Sequence, residues 1–211
     1  MIPSEEDVMA ALTARHGEAL QQRFSNAHVA ICGLGGLGSN IAIALARAGI
    51  GTLHLIDFDH VDLANLNRQQ YTYAQLGMAK TDALRQTLEA IAPYVRVLTD
   101  NTRLTGDNLD TLLAGADIIC EAFDKAEAKA LLVNGALERL PKAYVVAASG
   151  LAGLRSANTV QTRRIGSRLY LCGDGASDVD DLGTLFPTRA MLCAAQQAHM
   201  VLRILAGQLD P

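Results

Sequence analysis

Residues 28 to 57 constrain the fold more than any other part of the chain. "HVAIC" (28–32) is a short apolar run, and "GLGGLG" (33–38) follows it without a break. "LGSNIAIALARAG" (37–49) carries apolar residues at helical spacing, and "TLHLID" (52–57) is a second strand. A strand, a helix and a second strand joined this tightly form a crossover unit, and crossovers between parallel strands are right-handed. The alternation continues with a helix at 79–93 that stops at Pro93, a strand at 94–101, a capped helix in "TGDNLDTLLAG", a strand at 117–123, a helix at 125–140 and a strand at 143–149. The expected fold is therefore α/β, a doubly wound, mainly parallel Rossmann-like sheet with helices on both faces. Ligands of such sheets sit at the carboxyl ends of the strands.

Both ends of the chain depart from this alternation. Ser4 followed by Glu5, Glu6 and Asp7 reads as an N-cap with an acidic first turn, opening a helix to about Phe24 with Val8, Leu12 and Leu20 among its apolar positions. Past Gly150, short β-branched runs separated by turn signals predict hairpin strands that extend the sheet antiparallel. An acidic, glycine-containing loop (174–187) and an apolar helix (188–207) ended by Gly207 complete the chain. One domain is expected over residues 1–211: an N-terminal helix (1–26), a nucleotide-binding core (27–150) and an antiparallel extension with a final helix (151–211).

Composition narrows the function classes. Half of the residues are hydrophobic, enough for a sizeable core, and 18 Lys and Arg against 22 Asp and Glu leave a net charge of −4 with both signs scattered. That balance gives no reason to expect a nucleic acid as the main partner. The acidic N-terminus lacks a secretory pattern and no apolar run is long enough to span a bilayer, so a soluble, cytoplasmic protein without membrane partners is expected. Cys32, Cys120, Cys172 and Cys193 form no C-x-x-C pair, and the five histidines have no metal-like spacing; neither a zinc site nor a redox dithiol is expected.

Gly33, Gly35 and Gly38 make G-x-G-x-x-G directly between a strand and a helix. Glycines there permit a tight turn and let the backbone approach a phosphate, and the helix N-terminus supplies free amides. Asp57, ending the second strand, stands where a carboxylate holds a ribose hydroxyl pair. NAD, FAD and ATP fit this much equally. The next segment, "DFDHVDLANLNRQQYTYAQLGMAK", adds Arg68 and Lys80, cations with no use in a dehydrogenase but suited to phosphates that are themselves attacked.

"GLGGLGSN", "LIDFDHVDLANLNRQ" and "LGMAK" together resemble the ThiF and MoeB adenylyltransferases, bacterial relatives of the ubiquitin-activating enzymes. That family's pattern is G-x-G-G-x-G, D-x-D, N-x-x-R-Q and G-x-x-K. The resemblance implies that Gly33, Gly35, Gly36 and Gly38 face ATP, with Asp57 and Asp59 as the D-x-D pair and Asp57 on the ribose. It places Asn65 and Arg68 on the phosphates and Lys80 beside them during transfer. "CEAFDKAEAK" supplies Asp124 for magnesium, although Lys125 follows it where the family has a polar, uncharged residue. An N-terminal arginine reaches the partner subunit's ATP site in relatives; Arg15 is the candidate here and Arg23 the next. Of the cysteines only Cys172, in "YLCGDG", is near enough to a loop to be tested as a thiol participant.

The reaction implied is ATP- and magnesium-dependent adenylation of the C-terminal Gly-Gly carboxylate of a small ubiquitin-like sulfur carrier. A ThiS-like carrier of thiamine thiazole synthesis comes first, with a sulfur donor protein downstream and a homodimeric enzyme. Alternatives are a molybdopterin-type carrier, a carboxylate on a modified tRNA, an NAD-dependent oxidoreductase and a non-catalytic scaffold. The oxidoreductase reading accounts for residues 28–57 but leaves Arg68, Lys80 and Asp124 without a role.

Overall fold

The computed structural model describes residues 2–211, the side chain of residue 179 excepted. Its elements are α1 (Glu5–His16), α2 (Glu18–Asn26), β1 (His28–Cys32), α3 (Gly38–Arg47), β2 (Thr52–Asp57), α4 (Lys80–Ile91), β3 (Arg96–Asn101) and α5 (Leu109–Leu112). They continue with β4 (Ile118–Glu121), α6 (Ala126–Arg139), β5 (Tyr144–Ala148), β6 (Gln161–Ile165), β7 (Leu169–Gly173), α7 (Val179–Leu182) and α8 (Pro187–Leu205). The seven strands form one sheet in the order β3-β2-β1-β4-β5-β7-β6. β1 is parallel to both β2 and β4, with Val29 opposite Leu53 on one side and Ile118 on the other.

Alternation along the strands divides the core between two faces. Val29 and Ile31 of β1 pack with Leu53, Leu55, Ile41 and Leu45 on the face covered by α3, α4 and α8. Ala30 and Cys32 pack with Ile56, Ile119, Leu132 and Ala136 on the face covered by α5 and α6. These central strands are buried on both faces, which is why they read as continuous apolar runs rather than as alternating ones.

The structure corrects the expectation of a single N-terminal helix and bears out an antiparallel pair near the C-terminus, with one refinement. The N-terminal helix is two helices: Ser4 caps α1 in a reciprocal capping box with Asp7, but the chain turns at Gly17, whose φ of 83° is costly for any residue with a Cβ. α1 buries no residue completely and is half-buried along one side, whereas α2 buries Gln21 and Phe24, so the break lets the second helix dock more deeply. The C-terminal extension is antiparallel only in part. β7 runs parallel to β5, and β6 alone is antiparallel, paired with β7 at the sheet edge. The crossover from β5 takes up residues 149–160 before the β6–β7 hairpin returns, and local turn signals do not reveal which hairpin strand lies inside.

Candidate functional site

The strand order reverses between β1 and β4, and the chain leaves both at their carboxyl ends. That is where open α/β sheets form a ligand crevice. The glycine turn occupies it. Gly33 has φ 91°, and a Cβ there would come within 2.7 Å of the Ala122 carbonyl oxygen. A Cβ on Gly38 would run into the carbonyl oxygen of Gly33, so α3 can begin only because this residue has no side chain. On Gly36 a Cβ would press on the Arg68 stem at 3.2 Å; Gly35 is the most open, with Gln69 Nε2 3.7 Å from its Cβ position.

Asp57 ends β2 and is buried, and its carboxylate binds the turn itself. Oδ2 accepts the Leu34 amide at 2.6 Å and Oδ1 the Asp59 amide at 2.8 Å. Charge-assisted bonds of this kind fix the turn before any ligand arrives, and a carboxylate retains lone pairs for hydroxyl donors. Asp59 takes a different partner: its Oδ2 is 3.0 Å from Nζ of Lys80, which is buried at the start of α4. The D-x-D pair thus separates, one carboxylate on the turn and one on the lysine.

Residues 65–71 are laid along the turn by a polar network. The Asn65 carbonyl accepts the amides of Arg68 and Gln69, both at 3.2 Å. Arg68 is half-buried, and its Nη1 donates to Asn67 Oδ1 at 3.0 Å. Asn40 Nδ2 donates to the Gly36 carbonyl at 2.7 Å, Gln70 Nε2 to Asn40 Oδ1 at 2.8 Å, and Tyr71 Oη to the Leu34 carbonyl at 2.7 Å. Burial, with Asp57 and Asp59 nearby, raises the Tyr71 phenol well above its ordinary range, so it stays a donor. Sequence reasoning gave no role to Ser39, Asn40, Gln69, Gln70 or Tyr71, although Gln69 closes the N-x-x-R-Q match and Ser39 and Asn40 close the glycine segment, because a polar side chain does not announce its partners along the chain. Of these, Gln69 is 7% exposed, and its Oε1 has no partner among the described residues.

On the other side of the crevice, the loop after β4 carries Asp124. The Ala122 amide donates to the Cys32 carbonyl at 2.9 Å, so this loop lies against the glycine turn. Asp124 is exposed and makes no hydrogen bond to the described residues; Lys125 occupies the N-cap position of α6 and its side chain caps nothing. Asp124 is therefore not spent on capping. Among the described residues no group of three or more His, Cys, Asp or Glu could hold a metal by itself. A lone free carboxylate fits a magnesium ion that also binds substrate phosphates and keeps its waters.

The remaining candidates lie elsewhere. Arg15 is exposed on the last turn of α1, with no partner among the described residues. Arg23 donates from Nη1 to the Ala206 carbonyl at 3.1 Å, capping α8. Cys172 is not at a loop: it is buried in β7 with Thr162 Oγ1 3.3 Å from its Sγ, and burial pushes its thiol up to about 11. A thiol so placed is a small apolar side chain rather than a ready nucleophile. Two open grooves, of about 430 Å³ beside Arg23, Asp117 and Lys142 and about 580 Å³ lined by Thr162, Gln196 and His199, do not touch the glycine turn. None of the described helices is long and apolar enough to cross a membrane.

Known proteins share this architecture. The solved structure of the Escherichia coli tRNA N6-threonylcarbamoyladenosine dehydratase TcdA in complex with AMP superposes with a TM-score of 0.85, at 23% identity, over 99% of this chain and 98% of that one. In sequence, the molybdopterin-synthase adenylyltransferase of Salmonella typhimurium is 31% identical over 198 residues, 90% of this chain and 78% of the relative. The tRNA threonylcarbamoyladenosine dehydratase of Escherichia coli is 37% identical over 144 residues, 67% of this chain and 53% of the relative. The adenylyltransferase and sulfurtransferase MOCS3 of Culex quinquefasciatus is 37% identical over 126 residues, 59% of this chain but only 28% of that much longer protein. The sequence profile of the ThiF family matches residues 9–211, and with that match over nearly its whole length the chain belongs to the ThiF family.

Proposed function

We propose that this protein binds ATP in the crevice between β1 and β4 and adenylates a carboxylate, releasing pyrophosphate. One observation carries the reading: the glycine turn, Asp57, Arg68 and the unpartnered Asp124 converge on the carboxyl ends of β1, β2 and β4. A turn whose amides face phosphates, beside a half-buried guanidinium and a free carboxylate, suits a reacting triphosphate rather than a passive dinucleotide. Two relatives named as adenylyltransferases support it.

In the proposed reaction, a carboxylate oxygen attacks the α-phosphorus, the bond from that phosphorus to the bridging oxygen breaks, and pyrophosphate leaves. The acceptor is already ionised near neutral pH, so no protein base is required. The turn amides and Arg68 offset the charge on the polyphosphate. Asp57 holds the turn and receives the ribose hydroxyls. Lys80, buried against Asp59, contributes positive charge from beneath the phosphates. Magnesium, held by Asp124 and the phosphates, would neutralise the pyrophosphate as it departs. Positioning supplies much of the remaining acceleration.

For the acceptor we favour the C-terminal Gly-Gly carboxylate of a small ubiquitin-like carrier, a ThiS-like protein of thiamine thiazole synthesis first and a molybdopterin-type carrier second. The enzyme is proposed to act as a homodimer, with a sulfur donor taking the acyl-adenylate onward. The 37% identity to the tRNA threonylcarbamoyladenosine dehydratase of Escherichia coli over 144 residues favours a second reading, a carboxylate on modified tRNA. ATP–pyrophosphate exchange separates these. Exchange that needs magnesium and a Gly-Gly carrier supports the first reading, and exchange that needs tRNA carrying threonylcarbamoyladenosine supports the second. Absence of exchange with every acceptor, together with tight NADH binding, refutes adenylation.

A further inference from the structure

Asp124 sits on a loop whose anchor is a buried ion pair that no motif announced. Glu121, the last residue of β4, has a side chain only 1% exposed, and Lys129, in the first turns of α6, is 27% exposed. Glu121 Oε1 accepts the Phe123 amide at 2.7 Å and Lys129 Nζ at 3.0 Å. Its Oε2 accepts Nζ at 3.0 Å and the Ala148 amide at 3.4 Å, and Nζ also donates to the Ala148 carbonyl at 3.1 Å. One pair therefore joins the end of β4, the loop that follows it, α6 and the end of β5.

The same loop rests on the nucleotide cradle. A Cβ on Gly33 would meet Phe123 Cδ1 at 3.0 Å as well as the Ala122 oxygen, so a shift of residues 122–124 is felt at the glycine turn. Stability alone does not call for this arrangement. Burying a carboxylate costs several kcal/mol, and a well-packed apolar pair of similar volume is often as stable or more so. An apolar pair cannot, however, hold the Phe123 amide and both polar groups of Ala148 in register. Burial is the largest influence on the Glu121 carboxyl and raises it above its ordinary range, while the Lys129 cation and the two amides oppose that rise.

We propose that Glu121 and Lys129 are positioning residues of the adenylation site, fixing the 122–124 loop so that the Asp124 carboxylate faces the polyphosphate and its magnesium. The proposal rests on the ATP-site reading above. It concerns geometry, since both side chains are spent on each other and on the backbone of Phe123 and Ala148.

The test uses the full chain in four forms: unmodified, Lys129→Arg, Glu121→Asp, and Glu121→Gln combined with Lys129→Met. The double variant removes both charges at nearly constant volume, leaving no orphaned ion to unfold the protein. ATP affinity is measured by calorimetry with and without magnesium, ATP–pyrophosphate exchange with a Gly-Gly carrier, and folding by thermal melting. The double variant is expected to stay folded and to bind ATP without magnesium within about twofold of the unmodified chain. It should lose at least about tenfold in exchange kcat, together with the tightening of ATP by magnesium, as expected when a reacting group is misplaced. Lys129→Arg, which keeps the cation, should retain both. Glu121→Asp keeps the charge but withdraws it by one methylene, so the same losses are expected in a folded protein.

A folded double variant or Glu121→Asp with unchanged kcat and magnesium response would overturn the proposal. So would a magnesium-free ATP affinity that falls in proportion to kcat, which marks general distortion. If the unmodified chain shows no exchange at all, the function reading fails instead, and that failure is visible without any variant.

Discussion

Arg68 and Cys172 show how differently two candidate side chains can fare once they are placed. Arg68 packs its stem against Gly36, with its guanidinium free to reach outward from Asn67. Arg68→Ala should abolish exchange while the melting temperature changes little, because the stem is only half-buried; a variant that keeps exchange would remove the arginine from the mechanism. Asp124→Ala is expected to behave in the same way. Cys172→Ala should leave exchange intact, since the sulfur lies inside the sheet, and loss of exchange in a folded protein would restore a thiol step. Asp174 bears on stability. Burial raises its carboxyl, but the amides of Ala176 and Ser177 and the Arg189 guanidinium outweigh that and hold it below the ordinary value of 3.8. A carboxyl depressed in the folded state stabilises above its unfolded pKa, and that contribution fades as pH falls through the folded value. Urea titrations across acidic pH should therefore show a shallower acid loss in Asp174→Asn than in the unmodified chain.

The helices divide into those that carry the site and those that hold the frame. α8 begins beside the carboxyl ends of β5 and β7, where Arg189 donates to the Leu151, Arg155 and Ser156 carbonyls and to Asp174 at 2.8 Å. Both charged side chains are 4% exposed, so this pair ties the β5 crossover and the acidic loop to α8. Arg189→Met should cost about 3–5 kcal/mol in urea denaturation, because it leaves the buried Asp174 carboxylate without its cation and the Leu151 and Arg155 carbonyls without a donor. A loss under about 1 kcal/mol would show that the loop reorganises to readmit water. α1 lies at the opposite extreme. Ser4→Ala removes its capping box, but α1 buries no residue completely, so hydrogen exchange should quicken in α1 while the global transition stays in place. The break at Gly17 escaped the sequence reading because a lone glycine within a helical pattern is tolerated as often as it ends one.

In the assembled protein, a ligand bound in the crevice is linked to folding stability. ATP with magnesium should raise the melting temperature in proportion to the logarithm of its concentration, and NADH at the same concentrations should not. The reverse order would return the chain to the dinucleotide-binding readings that the glycine turn alone permits. The same contrast measures what was legible beforehand. Strand and helix identities, the parallel core and the glycine turn followed from periodicity and from residue types that only certain backbones accept. Asp57 and Arg68 were proposed from motif spacing, which spans Gln69 without giving it a role, and Glu121 and Lys129 carried no signal. A buried carboxylate, its lysine and an unpartnered amide are ordinary surface residues until the chain folds over them.

By itself the sequence determined the α/β class, the location of the crevice and the family, since hydrophobic period, glycine requirements and ordered motifs are local along the chain. Only the tertiary structure decided that β7 lies inside β6, that Cys172 is sealed in the sheet, that Lys80 pairs with Asp59, and that a Glu–Lys pair anchors the loop of Asp124. Those outcomes depend on which distant segments share a neighbourhood. Burial and pairing energies arise between elements far apart in sequence, and no window along the chain contains them.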